Sequence, residues 1–206
     1  REDNDKHSPA GGFLRGLNPF AYVIIVLAII FLLYQLIGGA LAVAAGDLGI
    51  NNPNIKITRI ILIFGQFMFI LAPTIFFARL QSPDLKSVFR LRLPKPSLVV
   101  LAIVGIVLIQ PFLQGYMYFQ EQLKEIFDTL ESTTMKIVRA YSVFEFVVVV
   151  FVICITPAIC EEALFRGFTL SNLRKTARPA AAIFLTGFLF AFYHFQPFNL
   201  IPHILL

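Results

Sequence analysis

The stretch VFEFVVVVFVICITPAICEEALFRGFTL, residues 143–170, decides the fold. From Val143 to Cys160 its only charged side chain is Glu145. A helix needs about 20 apolar residues to cross roughly 30 Å of hydrocarbon. The segment therefore predicts a membrane span that carries Glu161, Glu162 and Arg166 in its second half. Reading outward, four more apolar runs of similar kind appear, at about 19–45, 57–78, 97–119 and 179–196. After Pro197 the chain turns apolar again, as the start of a sixth. The expected fold is all-α: a polytopic transmembrane helical bundle with about five visible spans and a sixth begun.

Composition agrees. Hydrophobic residues make up 58% of the chain and charged ones only 14%, with mean hydropathy +0.80; soluble domains sit near 45–50% apolar and about a quarter charged. Residues 1–18 read as a polar cytoplasmic tail, and 19–206 as one membrane domain. The opening Arg-Glu-Asp lacks a Met, so the true start is expected upstream. The first apolar run is too long for a signal-peptide core and stays as a span. Of the aromatics, Tyr22, Tyr34, Tyr116, Tyr118 and Tyr141 suit membrane interfaces. Cys154 and Cys160 read as small buried hydrophobes.

The net charge of +5 lies between the apolar runs, where it sets topology, so nucleic-acid binding is a poor reading. Lys and Arg concentrate in the tail (Arg1, Lys6, Arg15), after the second span (Arg79, Lys86, Arg90, Arg92, Lys95) and after the fourth (Arg174, Lys175, Arg178). By the positive-inside rule this predicts a cytoplasmic N-terminus. Glu121 to Arg139 reads as an exposed amphipathic helix, and Asp47 with Asn51 to Asn54 as a plain turn.

Ionisable groups within a span cost about 2.5 kcal/mol or more and usually mark function. Glu145, near a span end, reads as an interface carboxylate. Glu162 and Arg166 are four apart with the acid N-terminal, the favourable order for a helical ion pair. Glu161 is rotated by about 100° from its neighbour, which leaves its carboxylate for chemistry, and Pro157 is expected to bend the helix nearby. On the next span His194 follows Phe188-Leu-Phe190-Ala-Phe-Tyr193. A lone histidine among aromatics is more often a hydrogen-bonded core residue. Beside an intramembrane glutamate, however, it can help to deprotonate a water or hold a metal. Glu161 and His194 are expected within about 10 Å, in one interior cavity. At about 1.5 Å rise per residue, however, counting inward from the basic turn puts Glu161 about 13 Å deep and His194 about 22 Å. His203, past Pro197 and Pro202, has no fixed facing. No His-Glu-x-x-His, Gly-x-Ser-x-Gly or phosphate-binding glycine loop is present.

At these residues the chain resembles the CAAX-protease and bacteriocin-processing (Abi-type) family of membrane proteases. Glu161, Glu162 and Arg166 match its Glu-Glu-x-x-x-Arg motif, and Phe190 with His194 match its Phe-x-x-x-His motif. The resemblance implies an intramembrane endopeptidase, acting on a membrane-associated or prenylated peptide or protein substrate. In it Glu161 activates the attacking water, His194 assists, and Glu162, Arg166 and Phe190 support the site. It also leaves open a divalent metal such as zinc, with Glu161 and His194 as visible ligands, since metallo- and glutamate-type mechanisms are both described for the family. A third element, a histidine with Asn four residues later, is expected beyond Leu206. Two rival readings remain: a proton-coupled transporter component, and a non-catalytic scaffold of the bacteriocin-immunity kind.

Overall fold

In hydrocarbon every backbone N–H and C=O must find its partner inside its own helix, so long apolar segments have one stable local form. A computed structural model describes residues 16–38, 40–41, 55–82, 84–90, 93–121 and 138–194, and among these no strand occurs. Among the described residues four helices are long and apolar enough to cross a membrane. They are α1 (Pro19–Gly38), α2 (Ile55–Gln81), α4 (Pro96–Glu121, apolar to Tyr116) and α5 (Val143–Leu173). The short α3 (Leu85–Val88) lies between α2 and α4. The fifth expected span is α6 (Pro179–Tyr193), a shorter apolar helix. The tail to Arg15, the Asp47–Asn54 turn, most of the expected amphipathic helix, the start of a sixth span and His203 lie outside the described residues.

Local chemistry sets the ends. Asn18 caps α1 by accepting from the Phe20 amide, with Pro19 at the first helical position, where its missing N–H costs nothing. Ser142 caps α5 by accepting from the Glu145 amide, while the Glu145 carboxylate accepts from the Tyr141 amide. Glu145 is thus a helix-end carboxylate, as its position implies. Within the spans, Thr74 and Thr186 return their hydroxyls to carbonyls four residues back, and Thr156 donates to Phe151. Their polarity is absorbed locally.

Among the described residues four π-helical segments interrupt the spans: Leu33–Gly38, Gln66–Leu71, Phe151–Ile155 and Ala163–Thr169. The distortion expected at Pro157 takes this form, as a wide turn just before it. Pro73 likewise follows the wide turn of α2.

One stripe of α1 (Tyr22, Val23, Val26, Leu27, Ile30) is buried, while Phe20, Ile24, Ile25 and Leu32 face outward. The core joins that stripe to Ile70 and Ala78 of α2 and to Cys160, Leu164, Phe165 and Phe168 of α5. Leu189, Phe190 and Tyr193 of α6 pack against it. Tyr22 is no interface residue: it is fully buried, its ring against Phe168 and its hydroxyl donating to the Phe77 carbonyl at 2.8 Å. Cys160 is buried as expected, but Cys154 faces outward. Apart from Leu113, α4 presents outward-facing apolar side chains along most of its length, so its apolar surface is suited to lipid rather than to the core.

On the side of the 174–178 turn, Ser171 donates to the Val88 carbonyl and Phe89 packs against Gly167 of α5. A Cβ built on Gly167 would lie 2.6 Å from Phe89 Cδ1 and 3.5 Å from its Cα. Gly167→Ala is therefore expected to destabilise the bundle by about 1–3 kcal/mol, the range for overpacking, as read by thermal unfolding in detergent. The same change in a Phe89→Ala background should cost little.

Candidate active site

Glu161 sits on the α-helical turn Thr156–Glu162 of α5, just before the wide turn that begins at Ala163. Its carboxylate is divided between two neighbours. Oε1 accepts from Gln66 Nε2 at 3.2 Å, and Oε2 lies 3.7 Å from His194 Nε2. The side chains of Glu161 and His194 are only 20% and 26% exposed. The structure thus brings together the two residues that the sequence places on successive spans.

The apparent difference in depth has a simple origin. α5 runs to Leu173 rather than about Leu170, which puts Glu161 about 18 Å from its end at 1.5 Å per residue. The side chains span the remaining offset from His194, which directly follows α6.

His194 is held from behind. Its Nδ1 lies 2.8 Å from the Phe190 carbonyl, and since a carbonyl only accepts, Nδ1 carries a proton and, in the neutral imidazole, Nε2 keeps its lone pair. Phe190 also packs its ring 4.5 Å from the imidazole and edge-on to Phe165. The spacing of four in Phe-x-x-x-His supplies both contacts, because residues four apart share a helix face. The lone pair of Nε2 and the carboxylate oxygen Oε2 therefore face each other as two acceptors. At 3.7 Å they are too far apart for a direct hydrogen bond.

Glu162 and Arg166 pair as their spacing implies. The pair is not enclosed by helices, however: the two side chains are 48% and 57% exposed. Stacking along one face of α5 fixes the contact, and that face points out of the core. Glu161, turned away from it, points inward.

Three residues near the carboxylate escape a search for charged groups: Gln66, Tyr34 and Tyr193. Tyr34 lies over Gly65, where a Cβ would meet its ring at 3.3 Å, and both tyrosines are within electrostatic reach of Glu161. The Tyr193 hydroxyl and Gln66 Oε1 are buried without a hydrogen-bond partner among the described residues, so the surroundings of Glu161 hold polar capacity beyond its own bonds. An amide inside a span was the available signal, but Gln35, Gln110 and Gln114 give the same one.

Among the described residues no three His, Cys, Asp or Glu side chains converge as a metal site. Catalytic zinc takes three protein ligands, so Glu161 and His194 alone do not make up such a set.

A helical membrane protein with a glutamate and a histidine facing each other on adjoining apolar helices is the class that fold and site define. Within it, the family model for Rce1-like type II CAAX prenyl endopeptidases matches residues 143–206, which contain both motifs and agree with the family they point to. No curated protein and no solved structure gives a significant match to the chain.

Proposed function

We propose that this protein is an intramembrane endopeptidase in which Glu161 is the general base and His194 its assistant. The observation that carries the reading is the 3.7 Å separation of Glu161 Oε2 and His194 Nε2, two acceptors able to share the two hydrogens of one water. Glu161 takes one proton as the water oxygen adds to the peptide carbonyl carbon. The carbonyl π electrons move to its oxygen. When the tetrahedral intermediate collapses, the C–N bond breaks and the proton passes from Glu161 to the leaving amine. The products are a carboxylic acid and an amine, which become carboxylate and ammonium once the acid's proton passes to the amine. General-base assistance of this kind is worth about 10²–10⁴-fold.

The substrate we propose is a prenylated peptide or protein at the membrane. The family description supports it, as does an apolar groove between α1 and α6. The groove is lined by Ile24, Leu27, Phe31, Leu189, Phe192 and Tyr193, and so reaches the residue beside His194. The Lys and Arg distribution supports a cytoplasmic N-terminus, with the Arg174–Arg178 turn on the same side.

The test uses the full-length protein in lipid vesicles, with a prenylated CAAX-type peptide and its unprenylated twin, each with and without a metal chelator. Cleavage of the prenylated peptide that survives the chelator is the expected result. Loss of cleavage that added zinc restores would make Glu161 and His194 ligands instead. Absence of cleavage under every condition, with binding retained, would favour the scaffold reading.

A further inference from the structure

We propose that Gln66, on α2 and outside the segment matched by the family model, is a positioning residue that holds the Glu161 carboxylate in the orientation that turns one oxygen toward His194. The inference rests on the reading of Glu161 as the base. A carboxylate on a flexible stem has two equivalent oxygens and can roll about its terminal bond. Here one oxygen is occupied: Gln66 Nε2 donates to Oε1 at 3.2 Å, and only Oε2 is left toward the imidazole. The amide is itself held. Gln66 is 8% exposed and opens the wide turn Gln66–Leu71. Such π-helical turns inside α-helices recur at functional sites. The preceding Gly65 admits the Tyr34 ring so closely that a Cβ there would crowd it, which closes α1 against α2 at this level.

A structural role would look different. A buried glutamine kept for stability would have both ends of its amide bonded, since an unmade buried hydrogen bond costs free energy. Here Oε1 has no partner among the described residues, and the amide nitrogen, which also meets the Tyr34 hydroxyl, donates to the proposed base. Replacing the amide with leucine should therefore leave the fold intact.

The experiment compares wild type, Gln66→Leu, Gln66→His, Glu161→Gln and the Gln66→Leu/Glu161→Gln double variant, all full-length in lipid vesicles on one prenylated peptide. Histidine is the conservative variant because its Nε2–H reaches about as far as the amide. Gln66→Leu is expected to lower kcat by about 10–100-fold, up to the loss that a misplacement of about 1 Å brings to a reacting group. KM should stay within about twofold, as for an interaction made only in the transition state, and the thermal midpoint should not fall. Gln66→His should recover most of the loss. In the Glu161→Gln background Gln66→Leu should cause no further decrease. Full kcat in Gln66→Leu, beside an inactive Glu161→Gln, overturns the positioning role and leaves the proposed function standing. A lowered kcat accompanied by a lowered thermal midpoint and no recovery with histidine makes Gln66 structural, and also overturns it. Wild-type cleavage by Glu161→Gln removes the base, and the inference falls with it.

Discussion

Glu161→Gln is expected to reduce cleavage by about 10³-fold or more, in the upper part of the range for loss of a general base, with the protein still accumulating and unfolding near the wild-type temperature. The two halves of that expectation have separate causes. Activity goes because an amide cannot take the proton of the attacking water. Stability stays because the replacement has nearly the same volume, and its carbonyl oxygen can still accept from Gln66 Nε2, the bond now made at 3.2 Å. With the imidazole neutral no ion pair is given up either, and Nδ1 keeps its bond to the Phe190 carbonyl. The measurement is initial cleavage rate in vesicles, with thermal unfolding and peptide binding in parallel. A proton-coupled transporter would show loss of pH-driven uptake with no cleavage in the wild type, and a scaffold would show no change. A variant that folds and cleaves at the wild-type rate removes Glu161 from the mechanism.

How much of this arrangement the chain announces depends on the kind of signal each residue carries. The spans are legible because twenty consecutive apolar residues have few alternatives. The division between Glu161 and Glu162 is legible because 100° per residue and a spacing of four are properties of any helix. The Phe190–His194 pairing follows from the same spacing. The contact between Glu161 and His194 was only half legible: the motifs imply it, but depth counting from a misplaced helix end disguises it, and three residues more of α5 remove about half of the discrepancy. The wide turns at Gln66 and Ala163 leave no local signature, because they change hydrogen-bond register without changing composition. Gln66 was hidden for the same reason, being one of several intramembrane glutamines, and only the packing of α2 on α5 singles it out. The exposure of the Glu162–Arg166 pair was likewise invisible, since spacing fixes who pairs with whom but not whether a neighbouring helix covers the pair.

That exposure changes the energetics expected of Glu162. Removing one partner of an enclosed ion pair costs about 3–5 kcal/mol, the figure that burial would imply. The pair instead lies on the outward side of α5, a helix that by length and composition can cross a membrane. The relevant cost is therefore that of a charge at depth in a membrane, roughly 2.5–3.5 kcal/mol for Arg at a helix centre. The long guanidinium stem lowers it by reaching toward the head groups. Glu162→Gln takes one counter-charge from Arg166 and is expected to lower stability by about 2 kcal/mol, with a smaller effect on cleavage per folded molecule. Arg166→Gln alone removes the opposite charge and should cost a similar amount. The double replacement leaves neither charge at that depth and should recover part of the loss, so the two single effects will not add, as expected for residues in contact. The measurement is a double-mutant cycle on thermal stability in detergent, with cleavage assayed on the folded fraction. Strict additivity would mean that the pair contributes nothing as a pair. A Glu162→Gln protein of normal stability that loses cleavage as completely as Glu161→Gln would move Glu162 from the support of the site into its chemistry.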